Sequence, residues 1–153
     1  MNAVVTEIQP LAVNCRRAPV PPWRVNRIFH YIERHLADRI ALSELSSLVG
    51  LSPTHLSRTF KRHFGLSLSV YVMCRRVVRA QNLMLMTSDP LKDIALECGL
   101  TDQPHLTRVF RLLVGQTPAQ WRDVQRAALD KGEIALPLQV TDLLTALGET
   151  HVN

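Results

Sequence analysis

From Trp23 onward, apolar residues recur at helical spacing. Phe29, Ile32 and Leu36 fall at i, i+3 and i+7 with Ile28 beside them, which predicts a helix of about three to four turns. Asp38 to Ala41 breaks it. Leu45, Leu48 and Val49 mark the apolar face of a second helix, and Leu56 and Phe60 (i, i+4) that of a third. From Ser69 to Met86 neither Gly nor Pro interrupts a run whose apolar positions include Tyr71, Val78, Leu83 and Met86. That run predicts a single linker helix of roughly 25 Å at ~1.5 Å per residue. Ile94 with Cys98, then Leu106 with Phe110, mark two more helices. Period-two runs and hairpin dipeptides are absent, so the expected fold class is all-α.

The pattern repeats. Gly50-Leu51-Ser52 matches Gly99-Leu100-Thr101 at an offset of 49, and His55-Leu56, Arg58, Phe60 and Gly65 match His105-Leu106, Arg108, Phe110 and Gly115 at an offset of 50. The second copy therefore carries one extra residue just before its second helix. Two copies fall short of the three or so units that a solenoid needs, so two copies of one small binding unit is the better parse. Each copy reads as helix, tight turn, helix. Gly50 and Gly99 supply the turn, where glycine makes a left-handed backbone cheap. Ser52 with Pro53 begins one second helix, and Thr101 is expected to cap the other. Asp89 is expected to cap, and Pro90 to open, the first helix of the second copy. Ser46 and Ala95, each four residues before the turn glycine, give two crossing helices room to approach. This is the layout of a helix-turn-helix.

With Leu56 and Phe60 inward, Thr54, Ser57, Arg58 and Lys61 share the opposite face. Their equivalents are Pro104, Thr107, Arg108 and Arg111, with Gln103 at the helix start. Short polar groups followed by a basic end suit a helix whose first half reads base edges in a major groove. Thr54, Ser57, Arg58, Gln103, Thr107 and Arg108 are thus the base-reading candidates, the two arginines as bidentate partners of guanine. His55, Lys61, Arg62, Arg76, His105 and Arg111 are candidates for the phosphate backbone. A plain solvated face would explain one such helix; it explains a matched pair poorly. For Arg75, Arg76 and Arg79 on the linker, a solvated face and a backbone-contact face are both open.

Charge sharpens this picture. The chain of 153 residues carries a net +5, and residues 16–126 hold 17 basic against 8 acidic groups. Fifteen of the 18 basic residues are arginine, which favours phosphate and base-edge recognition. Residues 1–22, with Pro10, Pro19, Pro21 and Pro22, read as an extended arm too short for a ligand-binding domain. Residues 127–153 are acidic, with Leu138, Leu143, Leu144 and Leu147 marking a short helix, packed or frayed. Between them lies a double helix-turn-helix over 23–126: lobe one at 23–66, the linker helix at 69–86 and lobe two at 89–126.

Other function classes find little support. Cys15, Cys74 and Cys98 are odd in number and far apart, which disfavours a disulfide framework and a thiolate zinc site. The six histidines have no metal-ligand spacing, and no nucleophile elbow or phosphate-binding loop is present. The expectation is therefore no enzyme, no cofactor and no metal. No apolar run approaches the ~18 residues of a spanning helix, nor does residue 1 open a secretory signal, so a cytoplasmic location is expected. A helical protein-interaction adaptor is the alternative; it would explain the helices but not the paired arginine faces.

The string HLSRTFKRHFG, a linker carrying Y, R and A, and then IALECGLTDQPHLTRVFR closing on G-x-TPAQWR resemble the DNA-binding domain of AraC/XylS-type bacterial transcription regulators. The resemblance covers about residues 24–126. It implies seven helices in two helix-turn-helix lobes joined by a long helix. It further implies binding to double-stranded DNA, usually as an activator contacting RNA polymerase, and binding as a monomer unless an effector domain is missing. Leu68 stands where the family often has Pro, Leu100 where it often has Phe, and Trp121 where it usually has Tyr. Pro104 occupies a base-facing position usually filled by a polar residue, so lobe two is expected to read fewer positions.

Overall fold

Proline and short capping side chains punctuate the helix starts of this chain. The computed structural model describes residues 21–133 and Asp142, and these form seven helices and no strand. They are α1 (Pro22–Arg34), α2 (Leu42–Val49), α3 (Pro53–Phe64), α4 (Leu68–Met86), α5 (Leu91–Glu97), α6 (Gln103–Val114) and α7 (Pro118–Asp130). Proline opens α1, α3 and α7, where its missing N–H would have no helical partner and its fixed φ is already helical. Side-chain oxygens of Ser52, Ser67, Asp102 and Thr117 accept from backbone N–H groups at the starts of α3, α4, α6 and α7. Thr117 and Gln120 close a reciprocal capping box.

The apolar faces expected from sequence are the buried ones, except that Leu48 of α2 is half-buried. Ile28, Phe29, Ile32, Leu36, Leu45, Val49, Leu56, Phe60, Ile94, Cys98, Leu106 and Phe110 are all buried, as are the small residues Ser46 and Ala95. Lobe one, α1 to α3, is closed by aromatic rings. Phe29 lies 5.3 Å from both Phe64 and Tyr71, and Phe60 lies 4.5 Å from Phe64 and 5.7 Å from Tyr71. In lobe two, α5 to α7, the aromatic contact among the described residues is Phe110 edge to face against Trp121 at 5.9 Å.

Helix α4 serves both lobes. Its 19 residues give a rod of about 28 Å. Tyr71 near its start joins the aromatic cluster of lobe one, while its second half packs against α5, α6 and α7. Arg126 on α7 donates to the carbonyls of Met84 and Thr87 at its end. Along the helix, Tyr71 and Val78 are buried and Leu83 is half-buried, but Met86 points to solvent at 83% exposure because the helix ends there. Gln81 is fully buried with neither end of its amide bonded, which nothing else in the structure explains.

The structure corrects three local expectations. Asp102, not Thr101, caps α6, accepting from the His105 N–H at 2.7 Å; the extra residue of the second copy moves the helix start by one. Thr101 instead meets the ring of its i+4 neighbour, Oγ1 to His105 Nδ1 at 2.9 Å. Asp89 caps nothing: α5 begins after Pro90 without a side-chain cap, the Asp89 N–H is held by Thr87 Oγ1, and its carbonyl accepts from Arg122. Helix α7 also runs past Arg126 to Asp130, into the segment read as tail. The expected Leu138–Leu147 helix, the arm up to residue 20 and Cys15 lie outside the described residues.

Candidate nucleic-acid interface

Helix α3 is anchored by Leu56, Thr59, Phe60 and Phe64, which are buried. Thr54, His55, Ser57, Arg58, Lys61 and Arg62 are all exposed. This follows from the spacing: two buried positions four apart leave the i, i+3, i+4, i+7 set on the far side. The Ser52 hydroxyl accepts from the His55 N–H at 3.3 Å, fixing the first turn from which Thr54 and Ser57 project.

Helix α6 repeats the arrangement with differences. Leu106, Val109, Phe110 and Leu113 are buried; Gln103, Pro104, Arg108 and Arg111 are exposed, and Thr107 and His105 are half-buried. Gln103, Pro104, Thr107, Arg108 and Arg111 line one shallow, open concavity. Five of the six base-reading candidates and Arg111 therefore lie on two equivalent exposed faces, and the sixth, Thr107, sits at the edge of the second. No ion pair or hydrogen bond engages Arg58, Lys61, Arg108 or Arg111 among the described residues, so four cations stand ready for an external anion. Leu112, adjoining Arg111, is 72% exposed, where the equivalent position of lobe one carries Arg62.

The linker arginines are engaged within the fold. Arg76, a backbone candidate from sequence, donates from Nε to the Leu36 carbonyl at 3.0 Å and from Nη2 to the Asp38 carbonyl at 2.7 Å. Burial lowers its pKa from the ordinary guanidinium value. These two bonds tie the connection after α1 to α4. Arg75 meets Glu33 of α1 with 2.6 Å contacts on both arms, of which Nη2 to Oε2 has hydrogen-bond geometry. Arg79 reaches Glu97 of α5 at 3.4 Å. All three reach partners far along the chain, which periodicity cannot reveal.

A cleft of about 470 Å³ opens between the lobes, bordered by Arg39, Ser57 of α3, Ser67 and Ser69 at the start of α4, and Thr101 and His105 at the start of α6. Sequence singled out Ser57 and His105 but not Arg39, Ser67 or Ser69, because only the folded chain brings the α1–α2 connection beside the two second helices. The thiols of Cys74 and Cys98 are buried, and burial pushes their pKa up to about 11 and about 12, so both are neutral packing groups near pH 7. Among the described residues no group of three or more His, Cys, Asp or Glu is placed to hold a metal ion. No described helix is long and apolar enough to cross a membrane.

Residues 45–123 match the helix-turn-helix domain family. Over 110 residues the chain is 31% identical to the bifunctional transcriptional activator/DNA repair enzyme AdaA of Bacillus subtilis, covering 72% of this chain and 52% of that protein. The chain thus spans about half the length of this curated relative. Among solved structures, an AraC-type DNA-binding-domain transcriptional regulator from Chromobacterium violaceum is similar with a TM-score of 0.64 and 27% identity, covering 69% of this chain and 94% of that one. The C-terminal domain of the two-component response regulator yesN from Fusobacterium nucleatum is similar with a TM-score of 0.60 and 31% identity, covering 64% and 96%.

Proposed function

Because the chain belongs to the AraC-type helix-turn-helix family, we propose that it is a sequence-specific DNA-binding transcription regulator whose α3 and α6 enter two successive major grooves. The observation that carries this is the matched pair of exposed faces, with Arg58 and Arg108 at repeat-equivalent positions and neither engaged by the protein. On this reading Arg58 and Arg108 each grip a guanine through O6 and N7, and Thr54, Ser57, Gln103 and Thr107 contact neighbouring base edges. His55, Lys61, Arg62, His105 and Arg111 hold phosphates and fix register. Pro104 offers no donor to a base, so α6 reads a shorter block than α3.

A spacer of about 28 Å suits reading helices roughly one DNA turn, about 34 Å, apart. One chain then supplies the two readouts that a dimer supplies in single-motif proteins, so it binds as a monomer. Activation through contact with RNA polymerase, and a cytoplasmic place of work, follow from the same family reading. The test is selection of bound sequences from a random duplex pool. Two short blocks about one helical turn apart are expected, with affinity falling steeply as salt rises. Recovery of a single block, or of no preference at all, would overturn the two-groove reading.

A further inference from the structure

We infer that the contact among Gly99, Arg76 and the carbonyls of the turn after α1 fixes how far apart the two reading helices stand, making the protein selective for the spacing between DNA blocks as well as for their sequences. The inference rests on the DNA-reading role proposed above. Gly99 lies in the turn between α5 and α6 with φ +76°. A Cβ placed there would lie 2.3 Å from the Leu36 carbonyl oxygen and 2.9 Å from that of Ala37. Both are backbone atoms and cannot swing aside. The same Leu36 oxygen accepts the Arg76 Nε–H of α4. Three pieces meet on one carbonyl: the turn that follows the first helix of lobe one, the shared helix, and the turn before the reading helix of lobe two.

Their position matters for spacing. The α5–α6 turn leads within three residues to the Asp102 cap from which α6 starts, so a displaced turn displaces α6. The cleft between the lobes is bordered by Gly99 and Arg76 as well as by Ser57 on α3 and His105 on α6. The contact therefore sits in the gap between the two reading helices. A shared helix alone does not set that gap, because packed helices can shear past one another by small slides. A glycine seated against backbone carbonyls acts as a stop to such sliding.

Lobe one contains its own control. Gly50 occupies the equivalent turn with φ +66°, yet a Cβ there would meet nothing within 4 Å. Gly50→Ala carries similar backbone strain without the collision.

The experiment compares wild type with Gly99→Ala, Arg76→Met and Gly50→Ala on three kinds of duplex: the selected two-block site, the same site with one base pair inserted or deleted between blocks, and each block alone. One base pair moves a block by about 3.4 Å along the axis. Wild type is expected to lose about tenfold or more when spacing changes, since one chain then cannot engage both blocks at once. Gly99→Ala and Arg76→Met should lose about tenfold on the selected site, stay within about twofold of wild type on single blocks, and show a flattened spacing profile. Gly50→Ala should keep the wild-type profile. Unchanged spacing profiles in both Gly99→Ala and Arg76→Met would overturn the inference while leaving the DNA reading intact. So would equal losses on single-block and two-block duplexes, which would make these residues supports of a lobe and not of its placement. A wild-type chain without sequence preference would overturn the DNA reading and the inference with it.

Discussion

The two lobes descend from one sequence pattern but begin their reading helices differently. In lobe one, Gly50 is itself the C-cap of α2 and Leu51 alone separates it from the Ser52 cap. In lobe two, Cys98 is the C-cap, and Gly99, Leu100 and Thr101 precede the Asp102 cap. One added residue exchanges a neutral cap at 3.3 Å for a carboxylate at 2.7 Å. It also frees Thr101 to hold His105. Separately, the second turn glycine packs against lobe one while the first faces open space. The lesson is that equivalent residues in a repeat share local geometry but not neighbours, and neighbours decide what a substitution costs.

The cores should show this contrast most strongly. Phe60→Ala and Phe110→Ala are each expected to destabilise by about 3–5 kcal/mol, as buried Phe truncations do. Phe110 should lie at the upper end, because its one aromatic neighbour is Trp121, whereas Phe64 and Tyr71 can both settle toward the space left by Phe60. Urea denaturation measures both, and a larger loss at Phe60 would break the comparison.

A smaller effect is expected at the reading faces. Arg58→Ala and Arg108→Ala should each lose about 1–3 kcal/mol of binding and relax specificity in a different block of the site. Competition binding against block-scrambled duplexes separates the two. Either variant binding its selected duplex like wild type would return that arginine to the ordinary solvated surface.

The caps should differ least. Asp102→Ala is expected to cost about 1–2 kcal/mol, because a charged acceptor at a helix N-terminus adds a dipole interaction to the hydrogen bond, and Ser52→Ala about 0.5–1 kcal/mol. Thermal melts of the two single variants give the ranking, and equal losses would show that the shorter bond adds nothing.

Much of this architecture is legible in the sequence because it is local. Spacing of apolar residues marks the faces of α1 to α6, though not of α7, and the offset of 50 pairs Arg58 with Arg108. The repeat also continues beyond the second helices: Ser67 and Tyr71 correspond to Thr117 and Trp121, so the start of α4 closes lobe one as α7 closes lobe two. What could not be read is long-range. Arg76 looks like Arg75 and Arg79 in the sequence, yet its partners are carbonyls about forty positions earlier, and backbone acceptors leave no residue signature. Asp102 and Thr101 are both good caps, and only the helix start chooses between them. Gly50 and Gly99 are indistinguishable until the lobes meet.

Helix α4 carries a thermodynamic consequence. Since its first half completes one lobe and its second half supports the other, opening either lobe frays the element on which the other is built. The two copies are thereby joined into one cooperative unfolding unit instead of two independent foldons. Ordering entropy for both is lost during folding and not on the duplex, so neither half-site contact is weakened by having to organise the helix that makes it.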